Sequence, residues 1–449
     1  MSSIPQTRGH VGTSFVLWLT FAMSLSAQER LSVEDAVRLA LDHSRSLKAA
    51  SLEIDRAAEN VSVAKTGRLP QLSVLTIGGQ LLTRPGLTLP EGSLGRLADG
   101  SVIPAANTTV EAARRPGAFL FAQVNQPLTQ LRRIGLQIDI AKTGEQLSEA
   151  QLQLSKQQIA NQVRRTYYEI VQTESEIESA EESIRFYRDL DQLTLRYLRQ
   201  ETVLQSDVLD VQARFAQAQY QAAVLNDSLT TQKEQLNQLL GRPIDTGFSI
   251  DPMLELAADT PEASQAGAAA LKSRPELKQA HLEEKRADLE RREKISEYLP
   301  DVSLNATYFS LFNVSSALPG NLSSVGFQVQ WEPFDWGRKK HQAAEKAEAA
   351  EEARVQTEDL AAKIQIEVHA AIRRLEEARQ FVAVCRLAQE STRETVRIER
   401  VRYDQQAALL KDVLQAQSAK GNADDQVRKA LAAFWSARAD LQKAMGQDQ

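Results

Sequence analysis

The chain has a single cysteine, Cys385, in 449 residues. That excludes a disulfide framework and a cysteine-ligated metal site. Proline and glycine are scarce, 14 and 20 residues, so few points can break a helix and long uninterrupted helices are expected. No apolar run approaches the ~20 residues of a membrane-spanning helix, and the mean hydropathy is −0.36. A multi-span helical membrane protein is thereby excluded. No basic block stands out and the net charge is −6, which argues against a nucleic-acid partner. His10, His43, His281, His341 and His369 lack ligand spacing such as HExxH. There is no P-loop, dinucleotide fingerprint or nucleophile elbow, and scattered Ser, His and Asp form no triad. No catalytic residue, cofactor site or metal site is expected, and the reading is not an enzyme. What the chain does have is 42% hydrophobic residues, enough for a sizeable core and too many for general disorder.

Residues 1–27 contain no Asp or Glu, carry Arg8, and hold a short apolar run, Phe15 to Met23. This is the pattern of a secretory signal, with cleavage expected after Ala27 or Ser26. A buried N-terminal helix is the competing reading. No cysteine follows the run, so a lipid anchor is not expected. The compartment then lies outside the cytoplasm, where a lone thiol is tolerated if buried.

The rest of the chain repeats itself. Leu47, Leu52, Leu69 and Pro70 recur as Leu277, Leu282, Leu299 and Pro300. Gln126-Pro127-Leu128 resembles Glu332-Pro333-Phe334. Val163, Ile170 and Ile177 match Val368, Leu375 and Val382; Asp207-Val208-Leu209 matches Asp412-Val413-Leu414; Leu236 and Gly241 match Leu441 and Gly446. Two copies are too few for a solenoid and suggest pseudo-twofold duplication within one interlocked unit. The expected division is a first repeat over 28–241, a linker over 242–261 and a second repeat over 262–449.

Each copy reads helix, strand, strand, long helical hairpin, so the fold class is mainly α with a small β part. The expected elements are helix 32–68, strands 71–82 and 118–128 and hairpin 133–240, then helix 262–297, strands 301–313 and 325–333 and hairpin 338–446. Glu145 to Leu240 and Arg338 to Lys420 contain no Gly or Pro. Val163, Ile170, Ile177 and Ile184 are spaced by seven, with Ile159, Thr166, Thr173, Ala180 and Tyr187 as a companion seam. This is a coiled-coil period. At ~1.5 Å per residue such a helix reaches about 100 Å. The strands alternate: Val325, Phe327, Val329 and Trp331 face one way, Gly326, Gln328 and Gln330 the other. About ten residues with one apolar face can cross a membrane as a tilted strand; an ordinary soluble hairpin is the competing reading. Four strands cannot close a barrel, so membrane insertion requires several chains.

The signal, the duplication, the Leu-Pro motifs at 69–70 and 299–300 and the closing Leu-x-x-Leu-Leu-Gly at 236–241 together resemble the TolC-like outer-membrane efflux proteins, over essentially the whole mature chain. The resemblance implies a homotrimer in the outer membrane, with four strands per protomer in one twelve-stranded β-barrel and the helices in a long periplasmic α-barrel. The loops 83–117 and 314–324 then face outward. The implied partners are outer-membrane lipid, a periplasmic adaptor (membrane fusion) protein and an inner-membrane pump of RND or ABC type.

The hairpin tips carry the sharpest local match. Tyr403 and Asp412 fall where the family has an aromatic residue and an acid, and Asp207 is the matching acid of the first tip. The resemblance makes these three a candidate periplasmic gate, with Tyr403 in a polar network and Asp412 in a constricting ring. The competing readings are a packing role for Tyr403 and a helix cap for Asp412. The sequence departs from the family at Glu201 and Gln406, which replace a tip glycine, at Ala408, which replaces a basic residue, and at Gln415, which replaces an acid. A salt-bridge lock is therefore not expected. A turn of different shape, or a partner that compensates strain, is expected at positions where φ > 0 would strain Glu or Gln. Gln200, Glu201, Thr202, Gln405, Gln406 and Ala407 are the expected adaptor-contacting residues. The implied function is an exit duct for small molecules. A duct for a type I protein secretion system, or a periplasmic coiled-coil scaffold without a barrel, are the alternatives.

Overall fold

A computed structural model of the chain describes residues 29–80, 82, 86–111, 116–251, 263–312 and 320–447. The expected signal segment and residues 252–261 of the linker lie outside the described residues. Two helices of unusual length dominate. α3 runs from Leu131 to Arg199 and α7 from Arg338 to Asp404, each about 100 Å long at ~1.5 Å per residue. The seven-residue seam explains why they persist: Val163, Thr166, Ile170, Thr173 and Tyr187 are all buried. Each long helix turns back into a helix of half its length, α4 (Gln205–Leu239) and α8 (Leu410–Ala444).

The first helix of each repeat is broken in two. The expected helix 32–68 is α1 (Val33–His43) and α2 (Arg45–Thr66), and the expected helix 262–297 is α5 (Ala263–Ser273) and α6 (Pro275–Ser296). Arg274 is extended because Pro275 excludes the helical region for its predecessor. Ser44 takes the same extended geometry with no proline beside it. Both breaks are met by the end of a hairpin. Gly241 (φ +72) sits against the His43 carbonyl, and Gly446 (φ +69) against Ser273. The repeat is thus a repeat of docking contacts as well as of elements.

The long strands form one antiparallel sheet. β2 (Gln71–Gln80), β7 (Pro116–Pro127), β9 (Asp301–Phe312) and β10 (Asn321–Gln330) lie in the order β10-β9-β7-β2. The last of these starts and stops earlier than the expected 325–333, because the chain leaves the sheet before Glu332-Pro333. The segment expected as the outward loop 83–117 carries two small antiparallel pairs, β3 (Gly86–Leu89) with β6 (Thr108–Glu111) and β4 (Gly95–Arg96) with β5 (Val102–Ile103). A parallel pair that sequence reasoning did not anticipate joins β1 (Glu29–Leu31) to β8 (Phe248–Ile250), which lies in the expected linker.

Among the described residues, three apolar cores lie along the rod. One gathers Leu31, Val37, Val163, Ile170 and Leu236 from the first repeat and Phe248 from the linker. The second gathers Ile364, Val368, Leu375, Cys385, Phe434 and Leu441 from the second repeat. The third lies at the hairpin ends, with Tyr187, Leu190, Val211, Tyr403 and Val413. Tyr167 closes the first by donating to the Leu31 carbonyl at 2.9 Å and accepting from the Asp251 amide at 3.1 Å.

Candidate functional site: the hairpin tips and the sheet

The two tips are built alike. In the first, Glu201 donates to the Leu198 carbonyl at 3.0 Å and Thr202 to the Tyr197 carbonyl at 3.0 Å; in the second, Gln406 donates to Tyr403 at 2.9 Å and Ala407 to Arg402 at 2.7 Å. Each pair satisfies carbonyls left open at a helix end, and the pattern requires a left-handed residue. Glu201 (φ 57) and Gln406 (φ 58) supply it. The expected change of turn shape does not occur: both tips keep the positive φ and place a side chain there. An L residue at this geometry costs about 1–2 kcal/mol, while glycine loses more entropy on folding. Glu201→Gly and Gln406→Gly are therefore expected to stabilise the chain by about 0.5 kcal/mol each, readable as a raised unfolding midpoint.

Asp207 and Asp412 begin the returning helices and cap them. The Leu204 amide donates to Asp207 at 3.0 Å and the Leu409 amide to Asp412 at 3.2 Å. A carboxylate in the first turn also opposes the positive end of the helix dipole. Asp412 is exposed and Asp207 half-buried. Gln200, Glu201, Thr202, Gln405, Gln406 and Ala407 are all exposed, so the two tips present free polar surface at one end of the rod.

Tyr403 lies behind that surface, 5% exposed. Its ring meets Tyr197 edge-on at 5.9 Å, a residue that sequence reasoning missed. Tyr197 stands one position before the residue that matches Tyr403 in the first repeat, so alignment of the copies passes over it. The Tyr403 hydroxyl is buried with no protein hydrogen-bond partner. Burial, reinforced by Tyr197, Asp207 and Asp404, pushes its pKa up to about 12. The adjoining cavity of about 20 Å³, lined by Asp189, Arg400 and Asp404 among others, has room for one water. Tyr403→Phe therefore removes no protein–protein hydrogen bond. It should change stability by less than about 0.5 kcal/mol and leave the resting conductance of reconstituted protein unchanged; a marked leak would contradict the packing role.

At the other end, the sheet has two unlike faces. Leu72, Val74, Val124, Leu304, Val325, Phe327 and Val329 share one. On the opposite face, the half nearer the helices carries Ser73, Gln123, Asn125, Asn305 and Gln328. The half nearer the loops of that face is apolar: Phe121 lies opposite Phe309 and Leu75, and Phe119 opposite Leu311 and Ile77. Phe119 and Phe309 approach to 6.0 Å. Where β10 leaves the sheet toward α7, Trp331, Phe334 and Trp336 are exposed, the last by 90%, and Phe334 meets Trp336 at 4.9 Å. An aromatic fringe at a strand end is a membrane-interface feature. No helix among the described residues is long and apolar enough to cross a membrane.

Comparison with solved structures returns the same architecture. The outer membrane protein VceC of Vibrio cholerae superposes with a TM-score of 0.74 at 16% identity, covering 92% of this chain and 96% of that one. The CmeC outer membrane channel of Campylobacter jejuni gives 0.77 at 15%, covering 93% and 86%. The open-state MtrE outer membrane channel of Neisseria gonorrhoeae gives 0.70 at 16%, covering 92% and 88%. No curated protein matches in sequence. Residues 36–242 and 267–447 each match the family described as outer membrane efflux protein, which accounts for both repeats, the sheet and the rod. The chain belongs to the outer membrane efflux protein family: a non-enzymatic channel of the outer membrane whose helices extend into the periplasm.

Proposed function

We propose that the chain is the passive exit duct of a tripartite efflux system, working as a homotrimer that carries small molecules from an inner-membrane pump of RND or ABC type to the exterior. The observation that carries this reading is the open sheet. Its four strands end in two unpaired edges, β2 and β10, and every residue of both is exposed. Unpaired backbone groups are not tolerated in lipid, and a long apolar edge invites pairing with another chain. Three copies close one barrel by pairing these edges. The helical rods then line a periplasmic tunnel whose far end is the ring of tips. A periplasmic adaptor docks on 200–202 and 405–407, and the hairpins around Tyr403, Asp207 and Asp412 move outward as it engages. Three Asp412 carboxylates near the axis attract cations to the entrance.

Single cysteines at Thr202 and Ala407 are expected to cross-link to a co-expressed periplasmic adaptor. The absence of a cross-link at both tips sinks the docking assignment. The duct itself predicts a heat-modifiable trimer in the outer-membrane fraction; recovery as a soluble periplasmic protein overturns it.

A further inference from the structure

The duplication says more about the trimer than that it exists. Inside the chain, β2 pairs with β7 so that Gln71 lies opposite Asn125, and β9 pairs with β10 so that Asp301 lies opposite Gln330. Since Leu69-Pro70 and Leu299-Pro300 mark the same point of the two copies, Gln71 matches Asp301. By strand register Asn125 then matches Gln330, the same offset that the long helices keep, and the likeness of Gln126-Pro127 to Glu332-Pro333 falls one residue further on, beyond the end of β10. A third pairing, β7 with β9, joins the two repeats and places Asn125 opposite Asn305. It has no counterpart within the chain: the strands that match β7 and β9 are β10 and β2, the two free edges.

We infer that β10 of one copy pairs antiparallel with β2 of the next in the register of β7 with β9, placing Gln330 opposite Leu75, Val329 opposite Thr76, Gln328 opposite Ile77 and Phe327 opposite Gly78. The inference rests on the trimeric reading and adds a residue-level register to it. Two observations support it. First, the transferred register keeps the faces in step: Val329 and Phe327 meet Thr76 and Gly78 on the face that carries Leu72 and Val74. A slip of one residue would turn a whole strand's side chains to the wrong face. It also sets aromatic Phe327 against Gly78, as Tyr308 stands against Ala122 within the chain. Second, the same operation works on the helices. Within the chain, Lys420 of α8 reaches Glu182 of α3 at 3.4 Å. The matching positions on α4 and α7 are Phe215 and Leu387. An ion pair inside the protomer becomes an apolar pair between copies, and Leu387 is 70% exposed until then.

Paired cysteines read the register directly. The one native thiol, Cys385, is buried and leaves little background. Directly opposed residues of an antiparallel pair have Cα atoms about 4.5–5.5 Å apart, within the range a disulfide spans, whereas diagonal neighbours are about 7–8 Å apart. The double variants Val329→Cys/Thr76→Cys and Gln328→Cys/Ile77→Cys, oxidised in outer membranes with copper phenanthroline, are expected to give covalent dimers and trimers on non-reducing gels. Val329→Cys/Val74→Cys and Val329→Cys/Gly78→Cys are expected to give at least tenfold less. A cross-link that favours a shifted pair overturns the register while the shared barrel stands. Heat-modifiable trimer with no cross-link from any pair overturns the edge pairing. Loss of trimer in the unsubstituted protein overturns the trimeric reading instead.

Discussion

Gly241→Ala is expected to destabilise the chain by about 3 kcal/mol and Gly446→Ala by about 2 kcal/mol. Two costs add at each site. Both residues have φ near +70, where a side chain costs about 1–2 kcal/mol. A Cβ at Gly241 would also stand 2.3 Å from the His43 carbonyl oxygen and 2.9 Å from its carbon. Those are backbone atoms at the α1/α2 break and cannot swing aside, and overpacking of this kind adds about 1–3 kcal/mol. At Gly446 the nearest atom is the Ser273 hydroxyl at 2.7 Å, with backbone only at 3.1 Å and beyond. That hydroxyl holds the Met445 carbonyl at 2.7 Å, so it gives way only by breaking a hydrogen bond. The ranking is the sharper part of the prediction. Unfolding midpoints of the two variants in urea check it, and a Gly241→Ala protein as stable as the parent contradicts the docking contact. Because both glycines fasten a hairpin to a short helix at the waist of the rod, the yield of the proposed trimer in the outer membrane should fall in the same order.

The parts of this arrangement that sequence reasoning reached are those with a period or a copy. The seven-residue seam through Val163 and Ile170 names buried residues because a helix of that length repeats its environment every two turns. Leu236 and Gly241 stand out because Leu441 and Gly446 repeat them. Features with no local signature of their own were not legible. Ser44 breaks a helix without a proline, and the contact that meets the break, Gly241 against His43, comes from almost 200 residues away in sequence. The parallel pair of β1 with β8 is three residues long, too short for an alternating pattern to register. At the tips the departures from glycine were visible, and of the two consequences expected, the turn of different shape does not occur. Hydrogen bonds from Thr202 to Tyr197 and from Ala407 to Arg402 hold the left-handed turn whatever residue occupies it, so Glu and Gln take the strain in place. The apolar half-face of the sheet around Phe119, Phe121 and Phe309 was present in the alternation, but its position relative to the polar half needs the register of four strands at once.

Asp424→Ala should cost about 3 kcal/mol at neutral pH, the second large effect. Asp424 lies on α8 with a side chain 4% exposed. It accepts from Gln389 of α7 at 2.7 Å and from Lys420 at 2.9 Å, with Arg393 at 3.5 Å. Lys420 in turn reaches Glu182 of α3 at 3.4 Å. One carboxylate thus joins the two arms of the second hairpin and, through Lys420, ties that hairpin to the first. Charge-assisted hydrogen bonds contribute about 1.5–3 kcal/mol each, and the donors left behind are partly buried. Arg393 and Glu182 are exposed enough to rehydrate, which keeps the loss well below the sum. Burial alone would push the carboxyl up. Lys420 and Gln389, with the Arg393 charge, outweigh it and hold the pKa below the usual carboxylate range. A depressed folded pKa fixes the sign: the contribution is complete above the unfolded value, about 3.9, and is lost as pH falls through the lower folded value. The gap between parent and variant should therefore be constant from about pH 5 to 8 and shrink only below about pH 4. Unfolding midpoints at pH 7 and pH 3.5 test this, and a gap that is absent at pH 7 or wider at pH 3.5 would count against the network. Asp424→Asn keeps the acceptor for Gln389 and loses the charge that faces Lys420. It should fall between the two at pH 7, at about 1–2 kcal/mol. On the proposed opening movement, in which the hairpins part, this link and the Asn161–Asp440 contact at 3.2 Å both hold α3 to α8, so Asp424→Ala should raise the resting conductance of reconstituted protein where Tyr403→Phe does not.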